Sequence, residues 1–176
     1  LARARSLYAT AGYSPERPLR LRLLYNENEL VQKVCIAIAA MWKEALGVDV
    51  ELVQMEFKAY LAARADPAQW DVVRVGWTAD YNDASTFLDT MTRDSPQNFG
   101  HWINGRYASL LESAANENDP ALRRAALQQA ESLMLGEYPL LPVYFYVTRR
   151  LVQQHLAEPA INPMNRTYSR YFGIAQ

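Results

Sequence analysis

The chain has 176 residues, and its 18 Lys and Arg against 19 Asp and Glu leave a formal net charge of −1. So even a balance gives no general attraction to nucleic acid or to an anionic membrane surface, and a composition 50% hydrophobic and 21% charged excludes a disordered chain. This length suits one well-filled core and one main domain. Cys35 is the only cysteine, which excludes an intrachain disulfide, and its place in an apolar helical pattern marks a buried, unreactive thiol. No run of about 18 apolar residues occurs, and residues 1–6 lack the apolar stretch of a secretory signal. The chain is therefore expected either to be cytosolic or to be a piece whose targeting segment lay upstream.

Residues 1–12 read as the end of a helix with Gly12 at its C-cap. Residues 19–25 alternate apolar and charged side chains, the mark of a strand with one wet face. Residues 29–46 form the clearest helix, with Leu30, Val34, Ile38, Met41 and Ala45 on one apolar face, Val31, Cys35 and Trp42 beside it, and Gly47 as its stop. Strand 48–55 and helix 57–65 follow, ended by Asp66-Pro67. Residues 70–77 read as a strand covered on both faces, so the order strand, helix, strand, helix, strand predicts a largely parallel sheet. A helix is expected over 84–91, an irregular stretch over 92–106, a helix over 107–115, and another from the Asp119 N-cap and Pro120 to about Leu135. Residues 140–147 read as an aromatic edge strand between prolines, and the chain from Arg149 as a tail that docks elsewhere.

Chemistry concentrates where strand 70–77 ends. Arg74 interrupts the apolar run; it cannot lose its charge, so it requires a carboxylate within the protein or an anionic group from outside. After Gly76 come Trp77, Asp80, Tyr81 and Asn82, at a strand end where open α/β sheets form ligand crevices. Asp83 has the simple explanation of capping the helix that follows. Asp80 keeps three readings: a second cap, a partner for Arg74, or a carboxylate awaiting a cation. Two histidines 54 residues apart, His101 and His155, do not make a zinc site, and the seven glycines form no phosphate loop. An Asp80/Asp83 acid–base pair for glycoside hydrolysis is the enzymatic alternative.

The run from Arg74 to Asp89 resembles the segment that forms the floor of the peptide site in the periplasmic oligopeptide-binding proteins, the family 5 extracytoplasmic solute-binding proteins of peptide ABC transporters. Residues 23–26 (Leu-Leu-Tyr-Asn), 42–47 (Trp-Lys-Glu-Ala-Leu-Gly) and 142–147 (Pro-Val-Tyr-Phe-Tyr-Val) resemble the same family in the same order. The resemblance implies an α/β lobe of the type II periplasmic-binding-protein fold, with a mixed, mostly parallel sheet flanked by helices. Residues 1–148 would be the C-terminal ligand-binding lobe, truncated at its start, and residues 149–176 a tail crossing back to the other lobe.

By position, the resemblance implies that Asp80 pairs with the α-amino group of a bound peptide and Arg74 with the carboxylate of a short one. Backbone groups of Gly76 and Thr78 would pair with the peptide main chain, and Phe57, Trp77 and Tyr146 would line side-chain pockets. Phe57 stands where the family usually has tryptophan, and Val31 where some members have a histidine that helps hold the carboxylate. The implied function is peptide binding without catalysis or cofactor, in the periplasm or lipid-anchored outside the membrane of a Gram-positive source. The implied partners are short peptides, an ABC permease and the missing N-terminal lobe, with no nucleic acid. A binder of a murein peptide, a dipeptide, nickel or a sugar is the alternative within the family.

Overall fold

The computed structural model describes residues 1–157 and 161–174, and the chain divides into two compact units, Leu1–Gly76 and Trp77–Gln176. The first unit starts with α1 (Ala2–Thr10), followed by Gly12 at φ +86°, a left-handed conformation that glycine adopts without a Cβ clash. The strands β1 (Arg20–Asn26), β2 (Asp49–Met55) and β3 (Val72–Val73) form a parallel sheet in the order β2-β1-β3. Register runs from Arg20 opposite Asp49 to Asn26 opposite Met55, and Leu23 and Leu24 face Val72 and Val73. The helices α2 (Glu29–Leu46) and α3 (Phe57–Ala63) connect and cover the strands.

The predicted helix 29–46 forms with those bounds. The Asn28 side chain accepts the N–H of Val31 at its start, and Gly47 at φ +78° returns its N–H to the Lys43 carbonyl at its end. Its buried face differs from the expected one. Val31 and Cys35 are buried against Leu23 and Tyr25, whereas Leu30 and Met41 stay exposed at 53% and 65%. Both stripes are apolar, so periodicity gives a helix but does not choose between two faces about 100° apart. Burial also raises the Cys35 thiol pKa, as expected of an unreactive cysteine. In β1, Leu23, Leu24 and Tyr25 are all buried, so the strand expected to have one wet face is covered on both at its C-terminal half.

The strand expected over 70–77 is shorter. Only Val72 and Val73 pair, the Arg74 N–H still reaches the Leu24 carbonyl at 2.8 Å, and Val75 and Trp77 are exposed. β1 ends at Asn26, opposite residue 75, so no residue of β1 lies opposite Gly76 or Trp77.

The second unit is mainly helical. Its elements are α4 (Ser85–Leu88), continued by one 3-10 turn (Asp89–Met91), α5 (Gly105–Asn116) and α6 (Pro120–Glu137). Asn104 caps α5 through the Tyr107 N–H, and Asp119 caps α6 through Ala121 and Leu122, with Pro120 in the first turn where its missing N–H costs nothing. Leu88, Met91, Tyr107, Ala114, Leu127, Ala130 and Met134 form the core, and the small side chains of Ala114 and Ala130 are fully enclosed. The buried Tyr107 hydroxyl donates to the Leu88 carbonyl at 2.6 Å, tying α5 to α4. In the irregular stretch before α5, the buried Asn98 amide accepts the Trp102 N–H and donates to the carbonyls of Thr92 and Trp102.

The aromatic strand expected over 140–147 does not form: these residues pair with no strand among those described, and Phe145 is 97% exposed. Pro139 and Pro142 remove two ladder donors, and an apolar run without an adjacent strand has nothing to pair with. β4 (Leu156–Ala157) and β5 (Gly173–Ile174) form a short antiparallel pair. The expected tail 149–176 includes residues 158–160 and 175–176, which lie outside the described residues.

Candidate functional site

In the first unit, the candidate residues collect at the carboxyl ends of the parallel strands. β1 ends at Asn26, whose side-chain oxygen accepts from Arg74 Nη1 at 3.3 Å, and Arg74 directly follows β3. The Arg74 backbone is held on two sides, its N–H by Leu24 and its carbonyl by the hydroxyl of the buried Tyr60. The guanidinium thus leaves a fixed backbone at the edge where open α/β sheets bind ligands. β2 ends at Met55, and the Glu56 carboxylate caps α3 by accepting the N–H groups of Lys58 and Ala59. Phe57, first residue of α3, is 56% exposed, with its ring 6.2 Å from that of Tyr60. Val31 is 3% exposed and packed in the core, so this position offers no polar contact to a ligand.

In the second unit, the turn 79–86 carries Asp80. Ala79 is buried, and the Asp80 N–H donates to the hydroxyl of buried Thr86 at 3.1 Å. Asp83 accepts the Ser85 N–H at 2.9 Å, which is the expected capping role, and it also binds Arg123 of α6 through both oxygens at 2.9 and 3.1 Å. The Ser85 N–H and then the Arg123 guanidinium hold the Asp83 carboxyl below the ordinary carboxylate range. Tyr81 donates to Asp89 at 3.1 Å, across the first turn of α4. The Asp80 carboxylate makes no hydrogen bond or ion pair with any described residue and is exposed. The Asp80 side chain thus caps no helix among the described residues.

Gly76, Trp77 and Thr78 are exposed, and the backbone groups of Gly76 and Thr78 make no hydrogen bond to another described residue. Trp77 is 41% exposed and Tyr146 is 57% exposed, the latter with its ring 5.1 Å from Tyr144. Three structural participants were not legible in the sequence. Arg123 lies 40 residues from the carboxylate it binds, Thr86 reads as an ordinary helix residue, and Asn26 reads as part of a turn. Only the position of Arg123 on the buried stripe of α6, four residues before Leu127, could have drawn notice.

Residues 1–99, more than half the chain and all the candidate positions except Tyr146, match the family model described as bacterial extracellular solute-binding proteins, family 5, middle part. The periplasmic murein peptide-binding protein MppA of Escherichia coli is 41% identical over 176 residues, covering 99% of this chain and 33% of that protein. The E. coli protein named "Probable deoxycholate-binding periplasmic protein YgiS" is 40% identical over 171 residues, covering 97% of this chain and 32% of that protein. The crystal structure of Haemophilus influenzae OppA in complex with the peptide RPPGFSPFR superposes with a TM-score of 0.86 at 34% identity, over 98% of this chain and 34% of that one. The chain thus spans about a third of the length of these relatives. Its α/β fold, with a parallel sheet flanked by helices, is that of type II periplasmic-binding proteins. The chain belongs to family 5 of the bacterial extracellular solute-binding proteins.

Proposed function

We propose that this chain is part of a protein that captures short peptides outside the cytoplasmic membrane and passes them to the permease of an ABC transporter, without catalysing a reaction. The observation that carries this reading is the Asp80 carboxylate, exposed and without a partner among the described residues, on a turn held by Thr86 and by the Asp83–Arg123 pair. A lone carboxylate held in place suits a ligand ammonium group, and a peptide supplies one at its N-terminus. The unbonded backbone groups of Gly76 and Thr78 suit the addition of a peptide main chain as an extended strand, and Arg74 suits the carboxylate of a short ligand. Exposed Phe57, Trp77 and Tyr146 provide aromatic surface that accepts varied side chains.

Names among the relatives support the same class, since one is a murein peptide binder and another is solved with a bound peptide. In this reading the protein is periplasmic, or lipid-anchored in a Gram-positive source. Residues 1–148 belong to the ligand-binding lobe, and 149–176 cross to a second lobe of the whole protein. In an Asp80/Asp83 hydrolase, the Asp83–Arg123 pair favours the ionised form of Asp83, which does not suit the general-acid role, where a raised pKa is needed.

Titration calorimetry on the full-length protein tests the proposal, using a tri- to pentapeptide pool, the same pool N-acetylated, and deoxycholate. Asp80→Asn should weaken binding of the free-amine pool by about 2 to 5 kcal/mol, because the ligand ammonium loses its desolvated partner. Equal binding of both pools by the unmutated protein would remove the role given to Asp80. Binding of deoxycholate alone would move the protein to the ligand class named for its second relative.

A further inference from the structure

The turn that presents Asp80 is anchored by a buried hydroxyl and by a two-pronged ion pair. Asp80 has a single methylene between backbone and carboxylate, so the direction of its charge is set largely by the backbone at residue 80. That backbone is tied through its N–H to the Thr86 hydroxyl at 3.1 Å, and Thr86 is 3% exposed. The other end of the turn is tied through Asp83, whose two oxygens meet Arg123 at 2.9 and 3.1 Å.

Arg123 lies on the stripe of α6 that continues into the buried Leu127, Ala130 and Met134. A surface arginine serving only solubility would sit on the opposite face, whereas this one spans 40 residues of sequence to reach the turn. Its planar fork binds both carboxylate oxygens, which fixes orientation as well as distance.

We propose that Thr86 and the Asp83–Arg123 pair are positioning residues, which hold the Asp80 carboxylate in place for the ammonium group of the ligand. The proposal rests on the role given to Asp80 above. A binding group held in its bound geometry loses little freedom when the ligand arrives, so these anchors contribute to affinity without contacting the ligand. A purely structural role predicts a different pattern, in which loosening the turn weakens every ligand equally.

The test compares Thr86→Val, Thr86→Ser, Arg123→Gln and Arg123→Lys in the full-length protein, by calorimetry with the free-amine and N-acetylated tri- to pentapeptide pools. Thr86→Val keeps the volume and removes the acceptor; it should lower affinity for the free-amine pool about tenfold while leaving that for the acetylated pool unchanged. Thr86→Ser restores the hydroxyl and should restore affinity. Arg123→Gln should give the same selective loss, and Arg123→Lys a smaller one, because lysine keeps the charge without the fork. Should Thr86→Val fail to fold, the partly exposed Arg123 carries the same comparison. Equal losses for both pools, or no loss while Asp80→Asn still impairs binding, would overturn the proposal. Equal binding of the two pools by the unmutated protein would instead refute the role of Asp80 itself.

Discussion

The two units place their candidate residues by different means. In the first, Arg74 is fixed by the parallel ladder: its N–H continues the pairing of β3 with β1, and its carbonyl is held by Tyr60. In the second, Asp80 stands on a turn with no ladder, secured by side chains from Thr86 and Arg123. A ladder bond uses backbone groups, so the Arg74 N–H bond does not depend on the side chain at residue 24, whereas the bond to its carbonyl depends on Tyr60. A turn secured by side chains depends on the identity of each one. The difference teaches that the sheet edge keeps one anchor independent of side-chain identity, whereas both anchors of the Asp80 turn depend on it.

The largest effect that sharpens this contrast lies in the core of the helical unit. Tyr107→Ala removes a fully buried ring and should lower unfolding free energy by about 3 to 5 kcal/mol in denaturant titration. Tyr107→Phe keeps the ring but removes the bond to the Leu88 carbonyl, and should cost about 1 kcal/mol. Equal losses in the two variants would mean that the hydroxyl, and not packing, holds α5 to α4.

In the sheet unit, Leu24→Ala empties the buried centre of β1 and should cost about 2 to 5 kcal/mol, while the backbone bond from Arg74 to residue 24 survives. Binding of the shortest peptides, measured at a temperature where the variant is folded, should therefore change little. A large loss of affinity would break the contrast by showing that the ladder alone does not place Arg74.

The smallest effect is electrostatic. The folded-state pKa of Asp83 lies below its unfolded value, so its ionised form contributes stability in full above the unfolded pKa, near 4. That contribution is lost as pH falls through the depressed folded value. Arg123→Gln should cost about 1 kcal/mol at pH 7, since the pair is about one-third exposed. The gap between the variant and the unmutated protein should close below pH 4 in urea titrations. A gap that persisted there would show that Arg123 acts by packing its stem and not through Asp83.

Much of this was readable in the residue order. The Asn28 and Asp119 caps, the Gly47 stop and the strand–helix alternation up to β3 follow from local chemistry, because a cap or a left-handed glycine acts within one turn of chain. So does the parallel sheet, with Arg74 directly after β3. What the order of residues left open was decided by neighbours distant in sequence. Only packing against Leu23 and Tyr25 selected the Val31–Cys35 face of α2 over the equally apolar stripe beside it. The end of β1 leaves Gly76 and Trp77 without a partner, and residues 140–147, despite their aromatic content, pair with no strand among those described. The Asp83–Arg123 pair belongs with these, since periodicity describes a helix face but not what that face meets, and meeting is a property of the folded chain.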